Sequence, residues 1–287
     1  MKNSFNSGLK IILCLLLIHA YQSSYSQSTV LFDEIVSEIY SQNFNDVEPK
    51  IEKLKKTSPL FANYLQVDYL WWKMITFYTD SNKSRFLTEL DALNSGKRTT
   101  AYQDYDRLIY FTYQIRYENL TNKSFSKYMT SLKFHFFIES IDLNKLESSD
   151  SFIKNMFVLM TELDVFMKYQ FLNDHGLKTK NNTEKCRLCL QKIENMYNSE
   201  YKSFDIVKTY LLAKIYFEIE GDKQKAFVKF AKLSNMFPKN TIFKQAVADC
   251  KKNWSSGFSE HHFLYAFVSQ YETVHSCLVY KWEFAKI

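Results

Sequence analysis

The chain has 287 residues, of which 46% are apolar, and it carries a formal net charge of +6. This length allows one large domain or two small ones, and the apolar fraction is sufficient for a sizeable core. With only five Gly and three Pro residues, the sequence lacks the frequent turns of a sheet protein, so its composition favours an all-helical chain.

Residues 1–26 have the three-part order of a secretory signal peptide. A basic start precedes an apolar run over residues 11–18, and the small residues that follow predict cleavage before Gln27. The apolar run is short for a membrane span, and the alternatives are an uncleaved anchor or lipidation of Cys14. No later segment is long and apolar enough to predict a transmembrane helix.

The predicted mature chain, residues 27–287, is only mildly basic. Cleavage would remove two of the 37 basic residues and no acidic residue, so the formal charge of +6 would fall to +4. A charge this small on a chain of this length does not suggest a nucleic-acid partner. We expect these residues to form one helical domain.

Helical periodicity runs through almost the whole mature chain. Apolar residues recur three and four positions apart, and the segments between these stretches are short and polar. Consecutive helices joined in this way are expected to lie antiparallel as hairpins. Asn181, followed three residues later by Glu184, fits a capping box at the start of one helix. The predicted helices span residues 30–43, 46–56, 60–79, 82–93, 99–118, 122–141, 150–173, 182–199, 203–220, 223–236, 239–253 and 258–281.

Residues 210–240, YLLAKIYFEIEGDKQKAFVKFAKLSNMFPKN, combine a glycine turn with small and aromatic residues at helical spacing. Gly221 allows a tight turn, Ala226 permits close approach of two helices, and Phe230 fills the next gap. The segment resembles one tetratricopeptide repeat, a helix-turn-helix unit of 34 residues in that family. Lys214 departs from the family pattern, as does Leu233, because small residues are usual at both positions. The resemblance implies packing roles for Tyr210, Ala213, Phe217, Gly221, Ala226, Phe230 and Pro238.

Weaker matches to the same repeat pattern lie at residues 44–59 and 71–93. Together with the good repeat they favour antiparallel helical hairpins stacked as a tetratricopeptide-like, right-handed solenoid. The alternative is an irregular helical bundle that contains one accidental match. The specific resemblance covers a minority of the chain, whereas the helical pattern covers nearly all of it.

The resemblance also implies a partner-binding groove. In the repeat family, the first helix of each hairpin lines the concave face. In the hairpin over residues 60–93, the alignment places Trp71 on this face, and a shift of one residue would exchange it for Trp72. Such a surface suits an extended or helical peptide with apolar anchors and polar edges. The predicted groove residues are Trp71, Lys208, Leu211, Ile215, Glu218 and Ile219.

The cysteines of a CxxC motif are expected to be structural. Cys186 and Cys189 lie inside a predicted helix and share its apolar stripe with Leu190 and Ile193. A reactive CxxC works best at a helix N-terminus, where the dipole stabilises a thiolate. Small hydrophobic residues in a helix interface are therefore favoured over a disulfide, which export would permit, or a thioredoxin-like site.

Histidines do not form a convincing catalytic or metal pattern. His261, His262 and His275 cluster near Cys277, but adjacent histidines point to different sides of a helix. His135, between two phenylalanines, is expected to be a half-buried core residue and not a general base. The sequence carries no zinc-protease, nucleophile-elbow, phosphate-loop or dinucleotide motif. We therefore expect no catalysis, no cofactor and no metal.

The leading functional hypothesis is an exported scaffold or adaptor that binds a protein or peptide partner. The signal peptide and the following Gln27 resemble those of Bacteroidetes-type envelope proteins, which implies a periplasmic, envelope-associated or secreted location. The alternative is a glycan-binding accessory protein of the envelope, since aromatic residues make up 17% of the chain and can stack on sugars. Glycan-capturing helical-repeat families are usually much longer, so this hypothesis ranks second.

Overall fold

A computed structural model describes residues 27–95, 103–121, 124–142, 150–174 and 179–252. Over these ranges the chain forms eleven α-helices and one short 3₁₀ helix, with no strand. The all-helical prediction is therefore confirmed for this part of the chain. The predicted signal peptide and the last predicted helix, 258–281, lie outside the described residues.

The helices begin and end within a few residues of the positions that the apolar periodicity predicts. They are α1 (27–40), the 3₁₀ helix (Phe44–Asp46), α2 (Val47–Lys55), α3 (Pro59–Thr76), α4 (Asp80–Asn94), α5 (Gln103–Leu120), α6 (Ser124–Glu139), α7 (Ser151–Asp174), α8 (Lys180–Asn195), α9 (Lys202–Glu218), α10 (Lys223–Met236) and α11 (Thr241–Lys252).

The predicted N-cap of helix α8 lies two residues too far along the chain. Helix α8 is capped by Thr179, whose hydroxyl accepts the backbone N–H of Asn182 at 3.1 Å. The expected capping box of Asn181 and Glu184 does not form, because Glu184 instead pairs with Arg187 on the exposed face of α8. Both Thr and Asn are good N-cap residues, so the sequence pattern alone does not separate the two starts.

Consecutive helices pack against one another along most of the described chain, and α9 with α10 forms a hairpin over the segment that resembles a repeat. Gly221 makes the turn in the left-handed region at φ +65°, and Asp222 caps α10 by accepting the N–H of Lys225 at 3.0 Å. Ala226 is completely buried where the two helices approach. Among the other repeat-packing residues, Ala213 and Phe230 are buried, Tyr210 and Phe217 are half-buried, and Pro238 is exposed in the turn before α11.

Helix α1 contacts helices that are far from it in sequence. The Phe32 ring lies 5.0 Å from Phe61 on α3, 4.8 Å from Phe152 on α7 and 5.3 Å from Tyr201 at the start of α9. The carboxylate of Asp33 accepts the first two N–H groups of α9, both at 3.0 Å. Asp33 thereby caps a helix N-terminus about 170 positions further along the chain, where negative charge is also favoured by the helix dipole.

The C-terminal end of α1 is joined in a similar way to the start of α11. Asn240 is fully buried; its side-chain oxygen accepts the N–H of Phe243 at 3.0 Å, and its amide donates to the carbonyl of Tyr40 at 2.8 Å. Gln42 accepts the N–H of Thr241 at 3.2 Å. In an open solenoid each repeat contacts only its neighbours. Here the contacts of α1 also join helices from opposite ends of the described chain.

The core contains a buried carboxylate on α3. Asp68 is 1% exposed and accepts the hydroxyl of Tyr113 from α5 at 2.5 Å. Burial raises the pKa of Asp68 to about 6, although the hydrogen bond from Tyr113 and the charge of Arg116 act in the opposite direction. The titratable and charged groups that surround it are Tyr40 from α1, Tyr64 from α3, Tyr105, Tyr113 and Arg116 from α5, and Tyr210 from α9.

Replacing Asp68 by Asn is expected to stabilise the protein by roughly 2–3 kcal/mol at pH 8. The folded pKa lies above the unfolded value, so the native state holds an extra proton between about pH 4 and pH 6. Wild-type stability therefore falls as pH rises through this window, whereas Asn stays neutral and still accepts from Tyr113. Urea unfolding of both proteins should show the gain at pH 8 and only a few tenths of a kcal/mol at pH 4. An equal gain at both pH values would contradict the titration of Asp68.

Candidate functional site

The predicted groove residues on α9 fall into buried and half-buried groups. Ile215 is completely buried, and Lys208 is nearly so. The Lys208 ammonium donates to the carbonyls of Glu194 at 3.1 Å and Met196 at 2.6 Å. A cation at this place satisfies carbonyls left free at the C-terminal end of α8. Lys208 is therefore a helix cap between two hairpins, which corrects its placement on an open groove.

Trp71 is also part of the core. Its side chain is 2% exposed and packs 5.5 Å from the ring of Phe86 on α4 and 6.1 Å from that of Tyr113 on α5. The alternative register does not restore the groove, because Trp72 is buried as well. The two tryptophans point to different parts of one core, so the structure presents neither of them to a partner.

Of the other three predicted groove residues, Leu211 and Ile219 are half-buried, whereas the side chain of Glu218 is only 2% exposed. Glu218 is paired with Lys214 one turn earlier on the same helix. Leu211 packs against the hydrophobic core. Of the six predicted residues, Ile219 is the one that lines a described cleft.

This cleft lies between the α7–α8 and α9–α10 hairpins and has a volume of about 610 Å³. That size is within the range of ligand pockets in proteins. Leu190 and Ile219 are its aliphatic lining residues, and the remaining lining is largely polar. It is lined by Gln170, Asn173, Thr183, Cys186, Arg187, Leu190, Gln191, Glu194, Tyr216, Ile219, Glu220 and Lys225.

Charged side chains in the cleft are balanced by neighbours. Glu194 accepts the hydroxyl of Tyr216 at 2.9 Å and lies 3.3 Å from the ammonium of Lys229. Burial, followed by the hydrogen bond with Glu194, raises the pKa of Tyr216 well above its usual value, so the phenol stays protonated. Lys225 lies over the same ring at 4.9 Å. The charged side chains that line the cleft are therefore paired with neighbouring groups, and the cleft offers a nearly neutral surface.

The CxxC cysteines pack in the interface between α7 and α8. Cys186 and Cys189 are buried, and the thiol of Cys186 donates to the carbonyl of Phe166 at 3.8 Å. Burial and the neighbouring Glu162 raise the pKa of Cys189 to about 11, which disfavours a nucleophilic thiolate. The geometry agrees with small hydrophobic residues in a helix interface. Cys14 and Cys277 lie outside the described residues.

His135 has a partner that sequence reasoning missed. Its Nδ1 lies 3.0 Å from a carboxylate oxygen of Asp164 on α7, and its Nε2 lies 3.4 Å from Glu139 on its own helix. The hydrogen bond with Asp164 raises the pKa of His135, although burial opposes this. Both ring nitrogens face carboxylates, so the imidazole ties α6 to α7. The partner could not be found from sequence, because the two residues lie on separate helices.

Among the described residues, no group of three or more His, Cys, Asp or Glu side chains could hold a metal ion. The predicted cluster of His261, His262, His275 and Cys277 lies outside these residues. The helices in the described ranges are all too short or too polar to cross a membrane. No family model, curated protein or solved structure matches the chain.

Proposed function

We propose that the chain is an exported, non-catalytic helical-repeat scaffold at the cell envelope, and that its cleft binds a segment of a protein partner. The observation that supports this proposal is the open, mixed polar and apolar cleft between two helical hairpins. The hairpins would stack in the manner of tetratricopeptide repeats, with α1 bracing the stack.

An extended peptide suits this cleft better than a highly charged ligand. An apolar side chain of the peptide would pack on Leu190 and Ile219, and its backbone would exchange hydrogen bonds with Gln170 and Gln191. The lining charges are already paired, so recognition would depend on shape and hydrogen bonding more than on net charge.

The glycan hypothesis gains less support from the cleft. Sugar binding by a helical protein uses exposed aromatic rings as stacking platforms. Trp71 and Trp72 are buried in the core, and the cleft is lined by one aromatic side chain, Tyr216. Trp254 and Trp282 lie outside the described residues.

Site-specific photo-crosslinking tests the proposal. A photoreactive phenylalanine would replace Ile219 in the cleft and, as a matched control, Val228, which is 61% exposed on α10 and does not line the cleft. Each purified variant would be irradiated in envelope extract of the native host, and the products identified by mass spectrometry. We expect a defined protein partner to be captured from position 219 and not from position 228.

The captured partner would then be purified and titrated against charge variants of the same positions. Ile219→Glu should weaken binding about tenfold or more, because it replaces part of the apolar lining of the cleft by an uncompensated charge, whereas Val228→Glu should not. Equal capture from both positions, or unchanged affinity of Ile219→Glu, would reject the cleft as the binding site.

A further inference from the structure

Lysine is concentrated in the last described hairpin, which α10 forms with α11. Residues 223–252 contain eight Lys, no Arg and one acidic residue, Asp249. Asp249 is buried and accepts the side-chain amide of Gln245 at 2.8 Å, so it does not present its charge at the surface. The formal charge of this segment is +7, which exceeds the +6 of the whole chain. The net positive charge of the protein is therefore located on one hairpin.

Most of these lysines are exposed, and three of them are not neutralised by an acidic neighbour. On α10, Lys225, Lys229 and Lys232 each pair with an acidic side chain. The exposed lysines that form no ion pair within the described chain are Lys239, Lys244 and Lys251. Their ammonium groups are available to a negatively charged partner.

Two exposed apolar side chains lie among the lysines of α10. Val228, Lys232 and Met236 follow one another at intervals of four residues, so they share one face of the helix. All three are exposed to solvent. This face therefore combines positive charge with apolar surface.

The lysines of α11 lie beside this face. The Lys251 ammonium is 5.5 Å from the ring centre of Phe227, the residue before Val228. Lys244 lies two helical turns before Lys251 on α11, and Lys239 is in the turn that joins the two helices. We define the basic hairpin surface as Val228, Lys232, Met236, Lys239, Lys244 and Lys251.

We propose that the basic hairpin surface binds an anionic lipid bilayer, with its lysines on the headgroups and Val228 and Met236 inserted between them. Negatively charged phospholipids attract lysines that lie near the membrane surface. A helix face with both lysine and apolar residues matches the boundary between headgroups and acyl chains. A bilayer offers this negative surface and the adjoining apolar layer together. This function is additional to partner binding in the cleft, since no residue of the basic hairpin surface lines the cleft.

Co-sedimentation of the mature chain with lipid vesicles tests the charge requirement. The vesicles would contain phosphatidylcholine, with or without the anionic lipid phosphatidylglycerol. We expect binding to the anionic vesicles to be about tenfold or more tighter than to the neutral ones, and to weaken as salt is added. Absence of binding to anionic vesicles, or equal binding to both kinds, would overturn the proposal.

Charge variants locate the surface. The triple variant Lys239→Gln, Lys244→Gln and Lys251→Gln should bind anionic vesicles about tenfold or more weakly than the wild type. The matched control removes the same charge from three exposed lysines at the end of α2, and should bind like the wild type; its changes are Lys53→Gln, Lys55→Gln and Lys56→Gln. Circular dichroism would verify the folding of both proteins. Equal losses in the two triple variants would show that net charge, and not this hairpin, determines binding.

The apolar side chains distinguish a bilayer from an acidic polypeptide. The double variant Val228→Ser and Met236→Ser should weaken vesicle binding about threefold or more, because it removes the side chains that enter the bilayer. Binding of soluble polyglutamate, which offers negative charge alone, should be weaker than vesicle binding and unchanged in this variant. If polyglutamate bound more tightly than the anionic vesicles, or if the double variant bound vesicles as well as the wild type, the lipid bilayer would be rejected in favour of an acidic polypeptide.

Discussion

Replacing Trp71 by Ala is expected to lower the free energy of unfolding by about 3–5 kcal/mol. The indole is almost fully buried and fills the space between Phe86 on α4 and Tyr113 on α5. Its removal would leave a cavity that helices held by several neighbours close only partly. Urea unfolding followed by circular dichroism gives the change directly, and the midpoint should fall without a large change in slope.

The matched control is Tyr78→Ala. Tyr78 is also a large aromatic residue close to the end of α3, but it is 60% exposed. Its replacement should change stability by no more than about 0.5 kcal/mol. If the Trp71→Ala protein were as stable as the Tyr78→Ala protein, Trp71 would not be part of the core. Its side chain would then have to lie at the surface.

Replacing Asn240 by Ala should destabilise the protein by about 2–4 kcal/mol. Loss of the N-cap of α11 contributes about 1 kcal/mol. The carbonyl of Tyr40 would lose its donor in a buried place, which costs about 1–3 kcal/mol more. Asn240→Ser keeps a good N-cap acceptor but lacks the amide donor and adds no charge, so it separates the two contributions when both variants are unfolded in urea.

Thr179→Ala provides the comparison for Asn240. Thr179 caps α8 with the same geometry, but it is exposed and holds no second helix. Its replacement should therefore cost only the capping contribution, about 1 kcal/mol. Equal losses for Thr179→Ala and Asn240→Ala would show that the bond to Tyr40 adds no stability.

Helix positions could be predicted from the sequence because the information is local. The spacing of apolar residues depends on the 3.6-residue period of each helix, and the turn at Gly221 is encoded by the residue that adopts φ +65°. The cap of α8 was misplaced because Thr179 and Asn181 are both acceptable caps, and only the backbone geometry distinguishes them.

The side on which each helix meets its neighbours could not be predicted in the same way. Trp71 and Ile215 were assigned to a groove because the repeat family places groove residues at those positions. In this chain α3 packs on α4 and α5, and Lys208 reaches across to the end of α8. Apolar side chains look alike in sequence whether they face a groove or the next hairpin, so periodicity cannot separate the two outcomes.

The groups that surround the buried Asp68 had no sequence signal because they come from separate helices, α1, α3, α5 and α9. Asp68 and Arg116 are unremarkable as single charged residues, and only the packing of α3 against α5 brings them together. The excess of tyrosine and phenylalanine is explained in part by the core. Five of these rings, Phe32, Phe61, Tyr64, Phe152 and Tyr201, cluster at the junction of α1, α3, α7 and α9.

The attachment of α1 to α9 and α11 determines when the chain can finish folding. The hydrogen bond of Asp33 to α9 joins residues about 170 positions apart, and the bond between Tyr40 and Asn240 joins residues 200 positions apart. At roughly 5–20 residues per second, synthesis of that stretch takes on the order of 10–40 s. Until then α1 lacks the contacts of Phe32 with Tyr201 and of Tyr40 with Phe243. The loops that these two contacts close are the longest in the described chain, so α1 can pack on Phe61 of α3 early but completes its contacts only when α9 and α11 have been made.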